Sequence, residues 1–421
     1  MAVNKPITFL SLLTVALYAT GSAADQPTPL PHEAYVWQRV WTPAVSDAVK
    51  KHGANFTEIV VLKTEVAWEG GAPRLRDARI DYATLRGAKV PIGFALRIGA
   101  YTGPFSTNDI VARLLQQAAS DIVTAARSNS ISPVELQLDF DCAESKLEGY
   151  RVWVETISRK VAPMPVRITA LPTWLNQASF KPLAAAAGAY ILQVHSLQRP
   201  KDARSIGKLC DPSAAKSAVV KASKLGIPFR VALPTYSYLV AFGTNGHFIG
   251  LSAESPTKSW PEGTEVRELA ADPLEMAGLV KDWQENRMPA MNGIIWFRFP
   301  CEQDVFNWRW PTLNAIMNSQ SPREAVRVDL RRVDAGLVEI DLVNFGEIDI
   351  SSRLAVEVHW QDARLMAVDA LGGFEVFNQE PTAARFQSRN LPVQLRTGDK
   401  ITIGWVRLDA EREVSGEVKK L

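Results

Sequence analysis

The chain has 421 residues, 47% of them hydrophobic, with 47 basic against 45 acidic side chains and a net charge of +2. It is too long for one ordinary domain, and the balanced charge gives no electrostatic reason to expect nucleic acid or an acidic partner. Three cysteines, Cys142, Cys210 and Cys301, are too few for a disulfide framework, and their spacing fits no zinc motif.

Residues 1–24 read as a cleaved secretory signal. Lys5 precedes an apolar run at 7–19, small residues at 21–24 follow, and Asp25 comes next. The run is shorter than the roughly 20 apolar residues of a membrane span. No later stretch is long and apolar enough to cross a bilayer. The expectation is a periplasmic or secreted protein with a short linker at 25–32.

From 33 to 321, strand-like and helix-like runs alternate. The first strand is 34–41 (AYVWQRVW), and Thr42-Pro43 opens a helix that Gly53 ends. The second is 58–66 (EIVVLKTEV), followed by a loop rich in Gly and Arg and a short helix near 81–86. The third is 90–98 (VPIGFALRI), with a helix to Arg127. The fourth is 134–141 (VELQLDFD), the fifth 166–171 (VRITAL) and the sixth 190–195 (YILQVH). Asp211-Pro212 opens the next helix. The seventh strand, 229–233 (FRVAL), leads into a long loop through Trp260, and Asp272-Pro273 opens another helix. The eighth is 293–299 (GIIWFRF), with a last helix near Pro311. Eight strands with helical crossovers predict a (β/α)₈ TIM-type barrel. An open doubly wound sheet binding a dinucleotide would want a Gly-rich first turn, and Arg39-Val40-Trp41-Thr42-Pro43 has none. After residue 321 the period changes to two, as in VEIDLVN at 338–344. Residues 322–421 are therefore expected to form an all-β, sandwich-like accessory domain.

A barrel presents its site at the C-terminal ends of its strands. The polar residues expected there are Arg39, Lys63 and Glu65, Arg97, Gln137 with Asp139 and Asp141, Gln193 and His195, Thr235 with Tyr236 and Tyr238, Arg298, and Glu302 just beyond. Side chains alternate along a strand. Gln137, Asp139 and Asp141 thus share the face opposite Leu136, Leu138 and Phe140, which should meet the helices. The same parity pairs Lys63 with Glu65 and Trp296 with Arg298. Neighbouring carboxylates raise one another's pKa, as a general acid for glycosidic cleavage requires. Twelve tryptophans supply flat faces for sugar rings or filling for the core. Cys142 and Cys210 are placed near the mouth, where export would let them form a disulfide. A lone His195 does not make a metal hydrolase, and no cofactor is expected.

Several segments together carry a resemblance: AYVWQRVWTP at 34–43, LQLDFDC at 136–142, ITALPTWL at 168–175, LQVHSL at 192–197, LCDP at 209–212, PFRVALPTYSY at 228–238 and GIIWFRFP at 293–300. They resemble a bacterial family of exported proteins known only as a domain of unknown function. The fourth and eighth strands are also distantly similar to the chitinase-like family 18 glycoside hydrolases, whose fourth strand ends in a catalytic Glu. Here the next inward position is Ala143, and Glu144 is out of phase. Either Asp141 takes the acid's place or that mechanism is absent. The resemblance implies Trp296 under a bound sugar.

Two functions follow. The first is an exported glycoside hydrolase or transglycosidase acting on a polysaccharide. Asp141 is its acid, Asp139 tunes it, Glu65 or Glu302 is a second carboxylate, and Tyr236 stabilises developing charge. Trp37, Arg39, Lys63, Arg97, Gln137, Gln193, His195, Trp296 and Arg298 contact substrate, although Arg97 and Arg298 equally suit the task of keeping buried acids charged. The second is a barrel without catalysis that binds glycan or a partner in the cell envelope.

Overall fold

The computed structural model describes Met1 and residues 29–196, 200–205, 207–252 and 259–421. The signal-like segment, apart from Met1, and residues 25–28 lie outside them. Eight parallel strands follow: β1 (His32–Val36), β2 (Glu58–Glu69), β3 (Ile92–Ile98), β4 (Leu136–Phe140), β5 (Val166–Ala170), β6 (Tyr190–Gln193), β7 (Phe229–Pro234) and β8 (Met291–Phe297). Each pairs with its neighbour in sequence, and β1 pairs with both β2 and β8, so the sheet closes into the expected barrel. Asp side chains at 109, 211 and 272 accept hydrogen bonds from the first free N–H groups of the helices that begin at Ile110, Pro212 and Pro273. Leu30, within the expected linker, is buried in the barrel's outer core, and its N–H donates to Gln284 Oε1 at 2.7 Å.

Two expected loops contain strands. The Gly/Arg-rich stretch after β2 turns back as Ala72–Asp77, antiparallel to the outer half of β2. The segment after β7 carries a three-stranded antiparallel sheet ordered Phe248–Ser252, Ser237–Phe242, Glu265–Ala270. Val240 and Phe242 give it a small core of its own. After the helix Trp310–Met317, the chain enters the second domain at Val326. There two four-stranded antiparallel sheets, one containing Leu337–Asn344 and the other Leu354–Trp360, enclose one apolar core with Ile340, Val356, Phe386 and Ile403 fully buried. Among the described residues no helix is long and apolar enough to cross a membrane.

The inside of the barrel is the unusual part. Val60, Leu62, Ala95, Ile191, Ala232 and Ile295 fill its middle, but the lower end is charged. Arg230 on β7 donates to Glu33 at 2.5 Å and to both oxygens of Glu135 at 2.7 and 2.9 Å, with a Glu58 oxygen at 3.7 Å. Glu135 also accepts from Gln137 Nε2 at 2.5 Å, and Gln137 Oε1 accepts from Tyr35 Oη at 2.5 Å. Gly93 makes room for this cluster, since a Cβ there would meet Glu58 Oε1 at 2.5 Å. Burial pushes Glu33 up to about 7, against the pull of Arg230. Burial, then the charges of Glu135 and Glu33, pushes Glu58 up as well.

A carboxyl whose folded pKa is raised holds a proton that the unfolded chain has released, so it costs stability as pH rises through that window. For Glu33 the window runs from about 4.5 to about 7. Arg230→Met should therefore remove the shared cation from Glu33 and Glu58, leave Glu135 with only Arg167 at 3.8 Å, and cost about 3–5 kcal/mol at pH 8. The loss should shrink at pH 5, where the carboxyls can protonate. Urea denaturation at the two pH values checks this; an equal loss at both would contradict the assignment.

Candidate active site at the barrel mouth

One strand carries polar groups from the bottom of the barrel to its mouth. Along β4 and its flanks, Glu135, Gln137, Asp139 and Asp141 occupy alternate positions. Leu136, Leu138 and Phe140 point to the helices and are fully buried. Above the buried Gln137, Asp139 is 19% exposed, and Asp141, just past the end of β4, is exposed. Both line a cavity of about 340 Å³, toward the small end of ligand-site volumes.

The walls of the cavity differ. On one side Arg97 spans two acids: its Nη1 lies 3.3 Å from Glu65 Oε1 and its Nε 3.8 Å from Asp139 Oδ2. Arg39 adds a fork to Glu65, with Nε donating at 2.5 Å and Nη2 at 3.0 Å. Asp139 Oδ1 accepts from Thr169 Oγ1 at 2.9 Å. Burial, aided by the charges of Asp141 and Glu65, pushes the Asp139 carboxyl up to about 6, against the pull of Arg97 and the Thr169 hydrogen bond. The opposite side is aromatic. Trp37 meets Tyr35 and Phe297 edge-on at 5.2 and 5.3 Å between centroids. His195 stacks on Phe297 at 5.6 Å, and its Nδ1 lies 3.4 Å from Tyr236 Oη. Burial lowers His195 to about 3, so the imidazole is neutral. Tyr238, from the three-stranded insertion, completes this wall.

Of the residues selected from sequence, Trp37, Arg97, Asp139, Asp141, Gln193, His195 and Tyr236 line this cavity. Glu65 stands behind Arg97 as its ion-pair partner, and Arg39 holds Glu65 from the other side. Five other expectations change.

Gln137 is fully buried in the network below the mouth. Lys63 sits at a β-bulge, where pairing passes from Leu62 to Thr64, and its Nζ pairs with Asp77 at 2.7 Å instead of sharing a face with Glu65. Trp296 is fully buried in the outer core and donates from Nε1 to His32 Nδ1 at 3.1 Å, while Phe297 takes the inward position. Arg298 follows the strand and donates from Nε to Asp304 at 2.7 Å, a local ion pair that mimicked an inward polar position. Glu302 lies in a separate cleft with His52 and Trp310, beside the second domain.

The expected disulfide is absent. Cys142, Cys210 and Cys301 are all free and buried, so Cys142 and Cys210 behave as small core residues. The only group of three metal-ligand side chains found among the described residues is Glu357, His359 and Glu417, on the second domain. Lys419 already supplies a cation there, 2.8 Å from Glu357 and 2.9 Å from Glu417.

Sequence reasoning missed Tyr35, Phe297 and Thr169 as lining residues, whereas Tyr238, expected just past the seventh strand, does line the cavity. Tyr35 was within reach, since it shares parity with Trp37.

Residues 103–302 match a family described as a domain of unknown function, DUF3142. No curated protein matches the chain. Among solved structures, a chitinase from Chromobacterium violaceum is 13% identical, with a TM-score of 0.47 over 68% of this chain and 99% of that one. The spore cortex-lytic enzyme SleL of Bacillus megaterium is 13% identical, with a TM-score of 0.49 over 69% and 74%. A family GH18 chitinase from Chromobacterium violaceum is 10% identical, with a TM-score of 0.41 over 93% and 91%.

The electrostatics of the pair can be read directly. Asp139 should titrate near 6 in the intact protein, followed through its side-chain carboxyl carbon by NMR. Asp141→Asn removes a like charge, so the Asp139 titration should move down. An unchanged or higher value would separate the two groups.

Proposed function

We propose that this protein is an exported glycoside hydrolase that cleaves a polysaccharide at the barrel mouth. The observation that carries the reading is the Asp139–Asp141 pair, set on consecutive inward positions of one strand and opening on a cavity with an aromatic wall. Export rests on the signal-like segment at 1–24.

The residues divide the work as follows. A sugar ring packs its apolar C–H face against the Trp37 and Phe297 wall. Asp141, the more exposed acid, reaches the glycosidic oxygen and donates its proton as the bond from that oxygen to the anomeric carbon breaks. Asp139, half-protonated near pH 6, tunes Asp141 through its charge and, once ionised, holds a negative charge beside the positive centre that develops. Water adds to that centre, and its released proton returns to the pair. Tyr236 and neutral His195 offer uncharged hydrogen-bonding groups to the substrate. Glu65 is held by Arg39 and Arg97 and serves to position Arg97.

That clamp on Glu65 also favours a second reading, a barrel that binds glycan without cleaving it, because it removes a second carboxylate from reaction. The two readings part in one experiment. The purified protein and its Asp139→Asn and Asp141→Asn variants are incubated with cell-envelope and plant polysaccharides, and released reducing ends are measured beside binding. A hydrolase loses product release by at least about 100-fold in Asp141→Asn while keeping binding, and Asp139→Asn slows it and moves the acidic limb of the pH profile. Binding without release from wild-type protein would support the binder. Full release by Asp141→Asn would remove Asp141 from the mechanism.

A further inference from the structure

The mouth is lopsided in charge, and the asymmetry extends beyond the cavity. β2 continues upward past the barrel as far as Glu69, paired with Ala72–Asp77. In that register Glu65 faces Arg76, Ala67 faces Arg74 and Glu69 faces Ala72. Strand parity puts Glu65, Ala67 and Glu69 on one face with Arg74 and Arg76, and it is the face that Arg97 occupies on β3. The other face carries Trp68, stacked on Tyr101 at 5.2 Å and packed against the outer core. The inner wall of the barrel is thus prolonged as a ribbon bearing Arg74, Arg76 and Arg97. Arg39 joins it from the end of the first strand segment, where Arg79 N–H donates to Arg39 O at 2.8 Å.

Four arginines on this wall face two glutamates, Glu65 and Glu69, an excess of two positive charges. Arg39, Arg76 and Arg97 remain 41%, 64% and 43% exposed while paired to those acids. Arg74 is exposed and makes no ion pair with any described residue. A wall built only to neutralise Asp139 and Asp141 would hold its cations against them. Instead Arg97 stands 3.8 Å from Asp139, and the other three lie farther round the sheet. The Ala72–Asp77 strand is three interstrand spacings from β4, about 14 Å. An anion held there would belong to a different sugar unit from the one beside Asp141.

We infer that the substrate is an anionic polysaccharide whose carboxylate or phosphate groups are bound by the Arg39, Arg74, Arg76 and Arg97 wall; this rests on the glycan-cleaving reading. Guanidinium groups suit the purpose, because each offers a planar fork of donors to a carboxylate or phosphate. The aromatic wall opposite serves the apolar face of the ring. The two walls together orient a charged sugar chain across the mouth.

The test uses matched pairs of ligands that differ only in charge, with the mature chain carrying Asp141→Asn so that nothing is consumed. One pair is hexagalacturonate and its methyl ester. The other is a phosphorylated mannan and the same mannan after phosphatase treatment. In at least one pair the charged member should bind about tenfold more tightly than its uncharged twin, and the preference should fall as salt rises from about 20 to about 300 mM. The pair that discriminates identifies carboxylate or phosphate as the group read. Adding Arg74→Ser on the exposed ribbon should weaken the charged member about threefold and leave its twin unchanged. If both members of each pair bind alike, or Arg74→Ser weakens both members equally or neither, the arginine wall is not the determinant, while the glycan reading stands. If no member of either pair binds, and neither does neutral N-acetylglucosamine hexamer, the glycan reading itself falls, and the inference with it.

Discussion

Three carboxylates closed inside a barrel need a cation, and Arg230 is placed to supply it. Glu33 on β1, Glu58 on β2 and Glu135 just before β4 meet the Arg230 guanidinium on β7, and Glu135 also has Arg167 at 3.8 Å. Such a cluster is not a source of great stability, because desolvation offsets much of the attraction. What it does enforce is register. Glu135 and Asp139 share a face of β4, so a slip of one residue would drive both among Leu136, Leu138 and Phe140 and the helices that cover them. The ion cluster at the bottom therefore determines which carboxylates appear at the top. Gln137 and Tyr35 connect the two ends by hydrogen bonds.

The upper end is assembled from separate pieces tied to the same frame. Thr235, at the end of β7, donates from Oγ1 to Arg298 O at 2.5 Å, and Trp308 N–H donates to Thr235 O at 2.9 Å. Asn307 Nδ2 donates to Arg298 O and Phe299 O, and Arg396 of the second domain donates to Asn307 O at 2.6 Å. The segment that delivers Tyr236 to His195 is thus braced by the domain that follows the barrel. The accessory domain supports the mouth without contributing a side chain to the cavity.

What could be read from the sequence was what obeys strict alternation. LQLDFD placed Asp139 and Asp141 correctly because three apolar residues fill the intervening positions. YILQVH placed Gln193 and His195 for the same reason. Errors arose where a local event broke the period. A single bulge at Lys63 reversed the parity expected from EIVVLKTEV. At the end of GIIWFRF, Arg298 suggested an inward face, although its charge is satisfied by Asp304, six residues on. The bottom cluster escaped notice because attention to strand ends favoured the C-terminal side, whereas Glu33, Glu58, Glu135 and Arg230 lie at or near the N-terminal ends. Their partners are 95 to 197 residues apart, a distance no local pattern spans. The disulfide was expected from compartment and neighbourhood alone, and neither supplies the geometry that a bridge demands.

An acid pair faces an aromatic wall across the mouth, and the proposed sugar chain lies between them. A crystal structure of the Asp141→Asn variant soaked with an oligosaccharide that the wild-type protein cleaves tests that claim most directly. A ring should pack against the Trp37 and Phe297 wall, with the glycosidic oxygen within about 3 Å of the substituted side chain at position 141 and Asp139 beneath the same unit. An oligosaccharide bound elsewhere, or one in this cavity whose glycosidic oxygens all lie beyond reach of residues 139 and 141, would contradict it.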